Sequence, residues 1–462
     1  MTRRFAVIGG GVTGLAAAHA LLTTAPGAHV TVLDADDRLG GKVRTSPFAG
    51  LAAVDEGADA FLARLPWATG LAHAVGLADA LVAPSAPGAA MWWDGLHRIP
   101  DGLLLGLPTD LGRLARTRLL TRRGRARAAL EPLVPRTSID DDSLGRFVRR
   151  RFGDEVHERL VDPLVGSIYA ADTDRFSLRA VPQIADLAAT TRSVLLGARR
   201  RPTAPTATPV FLTPLGGVGA LVDAVAAAVT AAGGVVRTAA QVVALAPSGT
   251  SWRMTVRTAA GDDDDVVDGI VLACPAAAAA TLLREIVAAD PVAALSGITA
   301  ADVALVTVAI DAATWPDRHR GLSGYLVPKA RQRHVTAVSF GSQKWTHWDD
   351  GVNVVLRISL GHDGHRVLHM SDDELITAAL DEVGQHLDHT LVPSQVRLSR
   401  WPAAFPQYRP HHAERIAAAE RSLPTGLALA GASFHGIGIP ACVRSAQRAA
   451  AVLVAPSTSV AH

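Results

Sequence analysis

Cysteine is scarce in this chain of 462 residues: there are two, Cys274 and Cys442. They lie far apart, so neither a disulfide framework nor a metal site of regular ligand spacing can be built from them, and no metal is expected. Two free thiols fit a reducing compartment. Lysine is nearly as scarce, since Lys42, Lys329 and Lys344 are the three lysines among 45 basic residues. A net charge of +2 lacks the excess that nucleic acid demands. Three tyrosines, Tyr169, Tyr325 and Tyr408, leave little material for an aromatic cage. Long apolar runs are missing as well. The uncharged stretch Thr203 to Val222 is broken by Pro205, Pro209 and Pro214, and Gly269 to Leu283 is short and broken by Pro275, so no membrane span is expected. The first strand opens almost at residue 1, which leaves no room for a secretory leader and implies a cytoplasmic protein. Charged residues make up 19% and hydrophobic ones 49%, which excludes a disordered chain, and the length exceeds one ordinary core.

What is present begins at Ala6-Val7-Ile8-Gly9-Gly10-Gly11-Val12-Thr13-Gly14. An apolar strand runs into glycines spaced G-x-G-x-x-G and then into an Ala-rich helix. Gly9 permits a tight turn, Gly11 lets backbone approach a pyrophosphate, and Gly14 lets the helix pack closely on the strand. The helix start presents free N–H groups to the phosphates. Val30 to Leu33 reads as the second strand, and Asp34 at its end can hold ribose hydroxyls. Together these predict an α/β fold with a Rossmann-like dinucleotide-binding domain.

Arg38-Leu39-Gly40-Gly41-Lys42 follows and resembles the R-x-G-G-[KR] continuation of FAD-dependent amine oxidases, carotenoid desaturases and protoporphyrinogen-type oxidases. Further along, Phe147-Val148-Arg149-Arg150-Arg151-Phe152-Gly153 leads to Pro163-Leu164-Val165-Gly166-Ser167-Ile168-Tyr169-Ala170-Ala171-Asp172. Arg400-Trp401-Pro402-Ala403-Ala404-Phe405-Pro406-Gln407-Tyr408 and His435-Gly436-Ile437-Gly438-Ile439-Pro440-Ala441-Cys442 complete the set, with Gly57-Ala58-Asp59-Ala60-Phe61 a looser match. These segments are similar to those of the FAD-dependent coproporphyrinogen III and protoporphyrinogen oxidases of the Gram-positive bacterial type. Ala441 stands where that family usually has Asp, Ala446 where Gly is common, and Leu65 where a basic residue often follows F-L-x-R.

The resemblance implies an amine-oxidase-like FAD domain, a mixed-sheet substrate domain and a helical, Arg-rich insertion. The expected division is 1–80, 206–290 and 425–458 for the FAD domain, 81–205 for the insertion on the substrate or membrane side, and 291–424 for the sheet. Thr203 to Pro214 reads as a linker, the segment from Leu81 to Arg201 as helical, Asp262 to Asp265 as a solvated turn, and Ser445 to Val454 as the last helix. The implied reaction converts coproporphyrinogen III to coproporphyrin III in heme biosynthesis, with oxygen as oxidant and hydrogen peroxide released. The alternatives are protoporphyrinogen IX as substrate, another flavin amine oxidase or desaturase, and a flavin protein that carries porphyrin without turnover.

By that resemblance FAD would be held by Gly9, Gly10, Gly11, Val12, Thr13, Gly14, Asp34, Ala35, Arg38, Gly41, Lys42, Gly57, Ala58, Asp59, Ala60, Val242, Trp401, Gly431, Gly436, Ile437 and Gly438. Trp401 could equally be core packing and Val242 an ordinary strand residue. No side chain stands out as a general base. Tyr169 is a pocket candidate or a buried structural tyrosine, and His435 a proton carrier or a packing histidine. Arg98, Arg113, Arg116, Arg122 and Arg150 are candidates for substrate propionates. The run Arg113 to Arg127 could dock an acidic ferrochelatase surface or anionic lipid, giving peripheral membrane contact without a span.

Overall fold

The computed structural model describes residues 2–86, 88–200 and 209–455. Five parallel strands form the first sheet, in the order Val235–Arg237, His29–Leu33, Arg4–Ile8, Gly269–Leu272, Leu427–Leu429. The central strands read as continuous apolar runs because both faces are covered. On one face the helices Val12–Thr24, Gly219–Ala231 and Ile439–Val454 bury Ala16, Ala17, Ala18, Ala446, Ala449 and Ala450. Such small side chains let helices approach each other and the sheet closely. On the other face sit the antiparallel strands Gln241–Ser248, Ser251–Thr258 and Gly261–Val267 with helices Ala276–Leu283, Ala289–Ser296 and His412–Arg421.

The second sheet has seven strands in the order Pro393–Pro406, Ala300–Asp311, Asn353–Leu360, Val335–Phe340, Gly324–Leu326, Ala90–Trp92, Leu96–Arg98. All neighbours are antiparallel except Gly324–Leu326 beside Ala90–Trp92. Alternation separates its faces. Ala304, Val306, Val308, Ile310, Leu356 and Ile358 pack under helix Asp372–Leu387, whose start carries a Ser371/Glu374 capping box. The opposite face presents Leu305, Thr307, Arg357, Ser359, Arg397, Ser399 and Trp401, and this polar face turns toward the first domain.

The helical segment spans Leu111–Arg200. Helix Leu144–Phe152 buries Leu144, Phe147, Val148 and Phe152, and also Arg151, which is 1% exposed. The Arg151 guanidinium pairs with Glu131, which is fully buried. Glu131 also accepts from Ser193 Oγ at 2.5 Å and from the Val194 and Leu195 amides at 2.9 and 3.3 Å, so one carboxylate closes an ion pair and caps helix Val194–Arg200.

Four expectations need correction. Residues 81–108 are not helical: they supply short strands, including Ala90–Trp92 and Leu96–Arg98 of the large sheet. The turn between those two holds Asp94 and Gly95 at φ of 53° and 137°, the Asp-Gly chemistry that a tight hairpin demands. Asp262 to Asp265 is not a turn but part of an edge strand. Its acids are tolerated because both sides are solvated and Arg257, Arg253 and Arg4 reach across to Asp262, Asp264 and Asp265. The last helix starts at Ile439, with Pro440 in its first turn, where proline costs no hydrogen bond. The linker Thr203 to Pro214 ends in a strand, Phe211–Pro214, between Phe61–Leu62 and Leu81–Val82, while residues 203–208, the boundary at 205 and residues 456–458 lie outside the described residues.

Replacing Glu131 with Ala strands the buried Arg151 cation, and removing one partner of such a pair costs about 3–5 kcal/mol. Urea unfolding of Glu131→Ala is expected to show that loss, and a change below about 1 kcal/mol would refute a central role for the pair.

Candidate active site

The site is built at the carboxyl edge of the parallel sheet, where the strand order changes direction beside Arg4–Ile8. Gly9 sits at φ 112°, and a Cβ there would stand 2.8 Å from the Ala273 carbonyl. A Cβ on Gly14 would overlap the Gly9 carbonyl. These two glycines are required by packing. Gly11 is different: an added Cβ would find no protein atom nearer than 3.8 Å, so the protein itself does not need glycine there. Gly438 has the same character, with its nearest neighbour at 3.8 Å. Each is the N-cap residue of a helix that no side chain caps, Val12–Thr24 and Ile439–Val454. Two helix ends with open space and uncapped N–H groups suit a phosphate-bearing cofactor.

Gly10 donates its amide to Asp34 Oδ2 at 2.5 Å, and Asp36 donates to Asp34 Oδ1 at 2.9 Å. These bonds fix the carboxylate while leaving lone pairs for hydroxyls. Ala35 is exposed beside it. The Ala240 amide bonds to the Asp34 carbonyl at 2.8 Å and leads into the strand that carries buried Val242. The Gly40 amide bonds to the Gly10 carbonyl at 2.9 Å, which lays the second glycine loop against the first. Arg38 braces that loop: it donates to the carbonyls of Gly41, Leu39 and Val43 at 2.7, 3.2 and 3.3 Å. Lys42 is exposed as a residue, but its ammonium is tucked against the Ala404 carbonyl at 2.6 Å, and withdrawal from water lowers its pKa to about 8.

On the second sheet, Trp401 Nε1 donates to the Glu56 carbonyl at 2.7 Å, and a Cβ on Gly57 would lie 3.5 Å from its ring. Asp59 Oδ2 receives Lys344 Nζ at 2.7 Å, Arg357 at 3.1 Å and Trp345 Nε1 at 3.2 Å. Burial opposes the Asp59 charge, but Lys344 and Arg357 outweigh it and hold the carboxyl well below the usual range. Arg357 also donates to the Gly57 carbonyl. The Gly57-Ala58-Asp59-Ala60 loop is thus pinned from the polar face of the second sheet. Arg357 and Lys344 escaped sequence reasoning. The rarity of lysine was the one available signal.

Gly431, at φ 120°, accepts no side chain but donates to Ser445 Oγ at 2.9 Å, and it lies beside Thr13 in the first helix. Val12 and Thr13 form that helix's first turn. Gly436, at φ 119°, donates to the Tyr408 hydroxyl at 2.7 Å, and Ile437 packs against the helical segment. Tyr169 is half-buried against Phe176, with ring centroids 4.8 Å apart, and burial pushes its phenol pKa up. His435 Nε2 lies between the Glu420 carboxylate, 2.8 Å away, and the Arg448 guanidinium, 2.6 Å away. Its imidazole is engaged in a surface ion-pair cluster. Arg98, Arg113, Arg116, Arg122 and Arg150 are all exposed. Both cysteines are free. A separate shallow cleft of about 580 Å³ is lined by Arg146, Arg149, Asp174, Arg175 and Arg409, and Arg149 and Arg409 there already pair with Asp174 and Asp363.

The sequence matches the profile of the family described as flavin containing amine oxidoreductase over residues 12–454. It is 34% identical to a protein named coproporphyrinogen III oxidase from Mycobacterium leprae, across 98% of this chain and 99% of that one. A protein of the same name from Bacillus subtilis is 30% identical, across 95% of each. This chain belongs to that family. It is a flavin oxidoreductase of the coproporphyrinogen III oxidase group within the amine oxidoreductases. A solved structure described as a putative protoporphyrinogen oxidase from Exiguobacterium is similar at a TM-score of 0.86 with 30% identity, covering 97% of this chain and 98% of that one. Putrescine oxidase, at 18% identity and a TM-score of 0.71, covering 99% of this chain and 100% of that one, shares the fold.

Two outcomes are expected. Gly11→Ala should leave thermal unfolding of the flavin-free chain within a few tenths of a kcal/mol, since no protein atom is met, while flavin absorbance retained on purification falls sharply. Full flavin retention would contradict the assignment. For Lys42, the folded pKa near 8 lies below the ordinary 10.5. The unfolded chain therefore binds more protons between those values, and stability rises with pH across that window. In flavin-free protein, the urea midpoint of wild type relative to Lys42→Met should climb from pH 8 to 10.5. A flat difference would refute the shift.

Proposed function

We propose that this chain oxidises coproporphyrinogen III to coproporphyrin III with FAD and molecular oxygen, as a step of heme biosynthesis. The observation that carries the reading is end-to-end similarity, at 30% identity or more, to relatives named for that activity, on a chain whose glycine cradle is intact. Six hydrogens leave the substrate in three two-electron cycles, and three oxygen molecules leave as three hydrogen peroxides. When bound, the flavin supplies the acceptor for hydride from a saturated meso carbon and returns its electrons to oxygen.

The chain's own residues bind and orient. Gly9 to Gly14 would receive the pyrophosphate, with Val12 and Thr13 offering amides. Asp34 and Ala35 would face the ribose and Val242 the adenine. Lys42, the loop from Gly57 to Ala60, Trp401, Gly431 and the loop Gly436-Ile437-Gly438 would enclose the ring system, with Arg38 and Gly41 shaping the loop beside it. Trp401 and Ile437 exclude water there. Tyr169 lines the substrate side with a neutral phenol. The ring nitrogens of a porphyrinogen carry their own exchangeable protons, so no dedicated protein base is needed.

Protoporphyrinogen IX is the second reading, favoured by the name of the Exiguobacterium structure. The described residues hold no helix long and apolar enough to cross a membrane. Residues 111–136 carry eight arginines and one acid, the buried Glu131, while Leu130 and Leu133 are exposed. That basic, leucine-tipped surface is where an anionic lipid face or an acidic ferrochelatase would dock, and the cytoplasm is the expected location.

Anaerobic mixing of the purified yellow protein with coproporphyrinogen III should bleach the flavin band faster than mixing with protoporphyrinogen IX. The reverse order moves the chain to the second reading. No bleaching by either, with dithionite still reducing the flavin, refutes both.

A further inference from the structure

The strand Pro393–Pro406 runs on into Gln407 and Tyr408, and these neighbours bond to two different stretches of backbone. Gln407 is 1% exposed. Its amide nitrogen donates to the carbonyls of Phe405, Tyr169 and Ala170 at 2.9, 3.2 and 3.3 Å. Three carbonyls around one end of the amide settle which end is nitrogen. Its Oε1 is buried without a donor among the described residues. Ala170 ends helix Asp162–Tyr169 in the left-handed region at φ 44°, an uncommon conformation for a residue with a Cβ. Such a conformation persists when its surroundings over-determine it, and here Gln407 and the Asp363 amide, at 2.8 Å, both grip the Ala170 carbonyl.

Tyr408 serves a different segment, the backbone from Ala432 to Gly436. Its hydroxyl donates to the Ala432 carbonyl at 2.6 Å and accepts from the Gly436 amide at 2.7 Å. A hydroxyl can do both at once, whereas an amide nitrogen or a carbonyl cannot. Its ring lies flat on His412, 3.9 Å between centroids, and parallel to Phe176 at 6.2 Å. Phe176 is the ring against which Tyr169 packs. The Ser177 amide bonds to the Tyr408 carbonyl at 2.7 Å. The loop around Gly436 and Gly438 offers few side chains of its own, so an external anchor must set its height.

We infer that Gln407 and Tyr408 are paired positioning residues: Gln407 fixes the substrate-facing backbone at Tyr169-Ala170, and Tyr408 fixes the flavin-facing loop at Ala432–Gly436, so one strand end holds both walls in register. This rests on the flavin reading of that loop given above. The distance between an oxidisable carbon and the flavin is then set by one backbone step rather than by the separate domains. Proximity effects of this kind are steep, because small misplacements cost large factors in rate.

The test uses flavin-loaded Tyr408→Phe and Gln407→Glu. Tyr408→Phe keeps the stacked ring and removes both loop bonds. It should perturb the shape of the flavin absorption band and slow anaerobic reduction by coproporphyrinogen III about five- to tenfold with little change in KM, the size expected from losing hydrogen bonds of this class. Gln407→Glu keeps the volume but turns an acceptor toward three carbonyls, so KM should rise several-fold with the flavin band unchanged. Gln407→Asn, with a shorter reach, guards against a misfolded Glu variant and should raise KM in the same direction. An unaltered flavin band in Tyr408→Phe overturns the inference, as does a common fall in unfolding temperature with no split between the two variants. If wild type is not reduced by any porphyrinogen, the proposed function fails, while the flavin band of Tyr408→Phe still decides the positioning claim.

Discussion

A helix that must begin within touching distance of the strand before it governs this molecule. Gly14 lies so near the Gly9 carbonyl that any Cβ would collide, and Gly9 crowds the Ala273 carbonyl in turn. That closeness aims the first helix at the sheet's carboxyl edge. The last helix, Ile439–Val454, packs beside it. Two uncapped amide clusters therefore converge without any basic side chain inside either first turn. Uncapped helix starts attract anions through backbone dipoles, which need no side-chain ordering.

The second sheet completes what the first begins. Its apolar face is spent on helix Asp372–Leu387, and its polar face grips the loop after Asp55. Glu56 shows how tightly. Burial works to raise its pKa, yet hydroxyls from Ser46 and Ser399 and the cations Arg397 and Arg44 win and hold it down. The three lysines each bridge segments distant in sequence. Lys42 meets Ala404, Lys344 meets Asp59, and Lys329 meets Asp172 and Asp162. In a chain that otherwise uses arginine, these compact ammonium groups each reach oxygens on a separate stretch of chain as point charges.

Local signals were readable in the sequence because their causes are local. The glycine spacing, the strand at Val30 to Leu33 and the acid at Asp34 each follow from a few adjacent residues. Long-range pairing was not readable. Arg151 looks like one more surface arginine in a run of three, and nothing nearby announces that Glu131 waits twenty residues earlier. The strands at Ala90–Trp92 and Leu96–Arg98 are too short for periodicity to show, and they exist because a sheet edge over two hundred residues away accepts them. Asp262 to Asp265 misled for the opposite reason: four acids in a row suggest a turn, but an edge strand with arginine neighbours suits them equally well.

The order of the strands in the parallel sheet has a consequence for how the protein is made. Its five members come from the neighbourhoods of residues 4, 29, 235, 269 and 427, and the helix that closes the cradle is Ile439–Val454. During synthesis the first strand, turn and helix emerge early, yet their inner neighbour in the sheet is about 260 residues behind, and the final strand and helix come almost last. Contacts of such sequence separation are slow to form. The glycine turn after the first strand must therefore wait, partly assembled, until residues 427–454 have been translated. Completion of the parallel sheet becomes a late event, tied to the arrival of the strand Leu427–Leu429 rather than to the strands made first.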